Sequence, residues 1–165
     1  MHVIVDGYNL LFATGSHRQG GPEGVEQGRE RLLDLLVRYA RVEGHEITVV
    51  FDSSRHTGGA ATQQRRPGLR VLVSHPPRTA DDDILRLVRA AGSRGTRVVT
   101  SDRELADACA RCGARVVGAA DFHRQLLART RRAEAEEEEL RLKTQPPSDQ
   151  EVRRWLEAFG ESDEA

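Results

Sequence analysis

The sequence predicts an α/β fold of three layers, with helices on both faces of a mainly parallel sheet of about five strands. Three observations carry that expectation. Short β-branched runs alternate with longer amphipathic stretches over the first 130 residues. The runs are apolar nearly throughout, as strands covered on both faces must be. At 165 residues the chain is long enough for one domain with a substantial core.

The first strand is Val3-Ile4-Val5, ending in Asp6; Gly7 turns the chain and Leu10-Leu11-Phe12 opens a helix. Asp6 therefore stands at a strand's carboxyl end, the edge at which open α/β sheets bind ligands, although it could equally cap the helix. After Gly20-Gly21-Pro22, apolar residues from Val25 to Ala40 recur at helical spacing up to Gly44. Glu46–Asp52 is a second strand ending in a second acid. Ser53 to Gly68 reads as a long polar loop carrying Arg55, His56, Arg65 and Arg66. Loops of more than about 12 residues in compact domains are usually functional or disordered, so this one is expected to be mobile and to touch substrate.

Leu69–His75 forms a third strand, stopped by Pro76-Pro77. Thr79-Ala80-Asp81-Asp82-Asp83 opens a helix through Ile84, Leu85 and Val88. Arg97–Thr100 is a fourth strand, Ser101-Asp102-Arg103-Glu104 opens the next helix, and Ala114–Val117 is a fifth strand after Gly113. A last core helix starts near Asp121 and extends into the acidic block Glu134–Glu139. The organisation expected is a domain over 1–130 and a charged helical tail over 131–165. Within that tail, Ser148 and Glu151 have capping-box spacing ahead of an apolar stripe, Val152, Trp155, Leu156 and Phe159, expected to fold back on the body.

Residues 1–132 hold 21 bases, all arginine, against 15 acids; residues 133–165 hold 4 bases against 11 acids. A basic body suits a polyanionic partner. Met1-His2-Val3 enters the first strand without a basic-then-apolar leader, and no apolar run approaches the roughly 18 residues that span a bilayer. A soluble, cytoplasmic chain is expected. Cys109 and Cys112 form one C-x-x-C near a helix's carboxyl end, with no second pair to complete a zinc site, which favours packing over redox or metal chemistry.

The acids differ in where helical periodicity puts them. Asp81 precedes Ile84, Leu85 and Val88 by three, four and seven residues and so continues the buried stripe, whereas Asp82 and Asp83 are expected to face solvent. Asp102 has the same relation to Leu105, Ala106 and Cys109, while Ser101 and Glu104 have capping-box spacing. Asp6, Asp52, Asp81 and Asp102 thus project from one sheet edge, and like charges gathered there call for a hard divalent cation, Mg²⁺ or Mn²⁺.

Asp6-Gly7-Tyr8-Asn9-Leu10-Leu11, Phe51-Asp52, Thr79-Ala80-Asp81 and Thr100-Ser101-Asp102 resemble, in order and position, the motifs of the YacP-like NYN domains, a branch of the PIN-like nuclease superfamily. The resemblance covers roughly residues 1–130. It implies a Mg²⁺- or Mn²⁺-dependent endoribonuclease acting on single-stranded RNA, with Asp6, Asp81 and Asp102 as metal ligands, Asn9 supporting them, and Asp52 matching an acid of related nucleases. It leaves room for action on RNA held by the ribosome. It implies 5′-phosphate and 3′-hydroxyl products. Glu104 could supply a further acid or remain a cap. Arg55, Arg65 and Arg66 would hold the RNA backbone, with Tyr8 and His56 as the rings placed to help.

Other classes fit less well. A HAD-type phosphatase needs a second Asp where Tyr8 stands, and a phospho-receiver needs a lysine where none exists outside the tail. A Rossmann domain needs a glycine-rich turn that Asp6-Gly7-Tyr8-Asn9 does not supply. The remaining competitor is a PIN-like module that binds RNA or protein without cutting.

Overall fold

The computed structural model describes residues 1–15, 21–53, 63–92 and 95–160. It divides into two compact units, Met1–Arg131 and Arg132–Ala165. The first holds β1 (His2–Asp6), α1 (Gly7–Thr14), α2 (Gly21–Glu43), β2 (Glu46–Asp52), β3 (Gln63–Arg66) and β4 (Leu69–Ser74). It continues with α3 (Ala80–Ala91), β5 (Thr96–Val99), α4 (Arg103–Arg111), β6 (Arg115–Val117) and the first half of α5 (Ala119–Thr144). The strands lie in the order β3-β4-β2-β1-β5-β6. All pairings are parallel except β3 with β4.

Alternation along the central strands divides the core in two. Val3, Val5, Val49 and Phe51 face α1, α2 and α5, where Leu10, Leu11, Leu33, Leu36, Phe122 and Leu126 cover them. Ile4, Val50 and Val98 face the other way, against Ile84 and Val88 of α3 and Leu105 and Cys109 of α4. Both faces being dry explains why β1 and β2 read as largely apolar runs. The chain adds strands to one side of β1 and then crosses to add β5 and β6 on the other. The crevice at the carboxyl ends of β1 and β5 is therefore a topological switch point.

Two expectations need correction. The sheet has six strands, because β3 forms within the stretch read as a loop. Gln63-Gln64-Arg65-Arg66 is an edge strand with little burial, so no apolar alternation marks it in the sequence. Its return to β4 needs Gly68, which has φ +68° and whose added Cβ would lie 2.9 Å from Ala40 Cβ. The second concerns Asp83, which is buried rather than solvent-facing. The buried line of α3 is Ala80, Asp83, Ile84 and Val88; Asp81 is exposed and stands off the stripe that its spacing was expected to continue.

In the second unit α6 (Asp149–Gly160) starts at a formed capping box. Ser148 N–H and Oγ–H both donate to Glu151 Oε2 at 2.8 Å, and Glu151 N–H donates back to Ser148 Oγ at 3.3 Å. The apolar stripe of α6 is exposed, Trp155 at 67%, with its ring 4.6 Å from that of Phe159. No described helix is long and apolar enough to cross a membrane.

Candidate active site

Asp6, Asp52 and Asp102 reach the site from the ends of three strands, and Asp81 from the first turn of α3. Asp6 ends β1 and caps α1, its Oδ1 accepting the Asn9 N–H at 3.2 Å. Gly7 has to follow it, because a Cβ there would fall 2.5 Å from Phe51 Cε1. Asp52 ends β2 and is paired in register with Ser74 at the end of β4. Asp81 lies in the first turn of α3, whose cap is Thr79 in a capping box with Asp82. Asp102 follows β5 and caps α4 by accepting the Leu105 N–H at 3.0 Å. Capping and site roles coincide in Asp6 and Asp102, since a cap has to stand at the helix end that this sheet edge presents.

Asp6, Asp52, Asp81 and Asp102 line one cleft of about 240 Å³, together with Tyr8, Asn9, Phe12 and Ala80. Tyr8 is buried, its ring edge-on to Phe51 at 5.1 Å and stacked with Phe12 at 5.9 Å. Asn9 ties the first motif to the last, its Oδ1 accepting the Ser101 N–H at 2.9 Å. Thr100 Oγ1 donates to Asp6 Oδ2 at 3.3 Å and accepts the Asp102 N–H at 3.1 Å. Ser101 Oγ in turn accepts the Ala119 N–H at the start of α5, at 3.0 Å. The β5–α4 turn is thereby fixed to β1 on one side and α5 on the other.

The electrostatics reflect crowding. Burial raises the Asp6 pKa to about 6, the Asn9 N–H and Thr100 hydroxyl opposing it and the charges of Asp81 and Asp102 adding to it. Asp81 is also pushed up, by burial first, then by Asp102, Asp82, Asp52 and Glu104. Oxygen donors in mutual repulsion are the set that a hard cation neutralises. As they stand, no three described His, Cys, Asp or Glu side chains form a closed metal-binding group. The acids' oxygen-donor chemistry fits a divalent ion.

Several residues stand elsewhere than the sequence led one to expect. Arg65 and Arg66 pair with Arg70 and Leu69, at the amino end of β4, about 13 Å along the strand from the acidic edge. The guanidinium of Arg66 bonds Glu30 and Asp34 of α2, at 2.6 and 3.0 Å. Arg55 and His56 lie outside the described residues. Ser101 and Glu104 do not form the capping box their spacing suggested, because Asp102 takes the cap. Cys109 is buried and its thiol pushed up to about 11 by that burial, as suits packing rather than redox chemistry.

Sequence reasoning also missed two groups. Thr100 and Ser101 act as connectors, signalled only by their place between a strand end and a capping acid. Asp83 accepts the Ser74 hydroxyl at 2.6 Å and joins α3 to β4; its i,i+4 relation to Leu87 was the available signal.

The chain matches the YacP-like NYN domain family over residues 3–159, which takes in most of the tail left outside the resemblance above. It is 28% identical over 102 residues to the uncharacterized protein YacP of Bacillus subtilis (strain 168), across 61% of this chain and 59% of that one. The alignment thus spans less than two thirds of the relative's length. The crystal structure of Rae1 (YacP) from Bacillus subtilis superposes with a TM-score of 0.74 at 24% identity, covering 99% of this chain and 96% of the other. A tryptophan-to-leucine mutant of that same protein gives 0.72 at 24% identity, over 90% and 87%. The superposition shows a shared fold, and with the match over residues 3–159 the chain belongs to the YacP-like NYN domain family.

Proposed function

We propose that this chain is an endoribonuclease that hydrolyses phosphodiester bonds of single-stranded RNA with Mg²⁺ or Mn²⁺. The observation that carries the reading is the meeting of Asp6, Asp52, Asp81 and Asp102 around one cleft, with Asp6 and Asp81 raised. Clustered carboxylates repel a phosphate, so pure binding gains nothing from them. A divalent ion held by Asp6, Asp81 and Asp102, with Asp52 beside them, supplies when bound a water of lowered pKa and a counter-charge for the leaving 3′ oxygen. Asn9 and Thr100 keep Asp6 and Asp102 in register, and Tyr8 and Phe12 line the same cleft. Glu104, free of the capping role, adds negative charge near Asp81. Cytoplasmic RNA, free or held by the ribosome, is the substrate class this reading takes.

One observation favours the second reading, a module that binds RNA or protein without cutting: the described acids do not close into a three-ligand group. The two readings separate on Asp81→Asn. Cleavage of single-stranded RNA in Mn²⁺ should be abolished, while binding in chelator stays equal or tightens slightly, because a repelling charge is gone. Asp82→Asn removes a charge one position away and should retain activity. Parent-rate cleavage by Asp81→Asn removes Asp81 from the mechanism, and a parent that cuts no RNA in Mn²⁺ is the binding module.

A further inference from the structure

Asp83 is a carboxylate with 8% side-chain exposure that serves more than the Ser74 hydroxyl. Its Oδ1 accepts from Arg86 Nη2 at 3.0 Å and lies 3.7 Å from Arg78 Nε, and those two arginine side chains are 61% and 60% exposed. One buried anion stands between two exposed cations, and the exposed carboxylate of Asp82 also acts on Arg78. Asp83 holds the Arg86 guanidinium by a hydrogen bond and draws that of Arg78 by charge alone, on the flank of α3 that faces β4. Preordered forks lose less rotamer freedom on meeting a phosphate.

The same face of the sheet carries a second basic group nearer the amino edge. Arg70 stands two residues before Leu72, which packs on the α3 core, so its side chain leaves that face too. Arg70 Nη2 donates to Thr48 Oγ1 at 3.2 Å, and His2 Nε2 shares that oxygen at 2.9 Å. Arg65 is directly opposite Arg70 in the antiparallel ladder, with Cβ atoms about 5 Å apart. Like charges so placed destabilise a sheet unless an anion comes between them. They line a cleft of about 310 Å³ in which Glu46 is the single carboxylate among the lining residues; Arg66 also lines it but is committed to Glu30 and Asp34.

We propose that single-stranded RNA runs from the acidic cleft along this flank, its phosphodiester backbone held by Arg78 and Arg86 and then by Arg70 and Arg65. The track follows β4, roughly 20 Å from one sheet edge to the other. It rests on the ribonuclease reading for the identity of the polyanion.

The test is anisotropy of a fluorescein-labelled oligouridylate, in chelator, over a potassium chloride series. Arg65→Ala/Arg70→Ala and Arg78→Ala/Arg86→Ala should each weaken binding several-fold. Each should also flatten the log–log salt slope by about 1.4, at roughly 0.7 per single-strand phosphate contact. Arg115→Ala, at the start of β6 on the far side of the sheet, should keep the parent slope. Circular dichroism confirms that each variant is folded. Parent slopes in both double variants overturn the track, as does inorganic phosphate displacing the RNA at the concentration where a mononucleotide does, which marks a small-anion site. Because chelator is present throughout, a failed track shows as unchanged slopes, whereas a failed nuclease reading shows separately as no Mn²⁺-dependent cleavage by the parent.

Discussion

Asp6 caps a helix and serves the cleft, and the second role costs stability once it ionises. Its native pKa of about 6 lies above the ordinary 3.8, so the folded chain holds that proton more tightly than the unfolded one. The associated stability is fully present below about pH 4 and is lost as pH rises through 6, on the order of 2–3 kcal/mol. Asn cannot ionise but caps as well as Asp. Asp6→Asn should therefore flatten the pH dependence of the urea midpoint between pH 4 and 7 while the parent's midpoint falls. Parallel curves would assign that titration to another group.

Among the elements, the β1–α1 turn is the least tolerant. A Cβ on Gly7 would lie 2.5–2.8 Å from three atoms of the Phe51 ring, and that ring is held by the edge of Tyr8 and by the Arg29 guanidinium 4.8 Å above it. Overpacking at such a point costs about 1–3 kcal/mol. Gly7→Ala should lower the urea midpoint accordingly. It should also reduce cleavage, because Asp6 and Asn9 flank the displaced residue. Gly15→Ala, with open space around it, carries only the strain of φ +70° and should leave cleavage alone. Equal effects of the two on cleavage would refute the close-packing argument.

For the whole molecule, the decisive quantity is the charge of the cleft. An ion that binds only the folded state stabilises it by about 2.7 kcal/mol at a hundred times its dissociation constant. Mn²⁺ should thus raise the melting temperature of the parent by several degrees, chelator should reverse the rise, and Asp6→Asn should lose most of it. An unmoved parent melting curve across millimolar Mn²⁺ would sink the cation site.

Periodicity and strand ends, read without coordinates, determined the layered α/β class, every parallel strand, and the meeting of Asp6, Asp52, Asp81 and Asp102 at one edge. Apolar runs and terminal acids are local signals, and parallel connectivity carries successive strand ends to the same side. The tertiary structure decided what depends on partners distant in sequence. β3 exists because β4 offers an edge, not because its own residues are apolar. Asp83 is buried because Ser74, Arg78 and Arg86 meet its charge, partners that its helical spacing to Leu87 does not name. Arg65 and Arg66 part company because a strand sends neighbours to opposite faces, Arg66 to α2 and Arg65 to the side of Arg70. Asn9 and Ser101 meet 92 residues apart because β1 and β5 are neighbours in the sheet, a pairing set by the order in which the strands assemble.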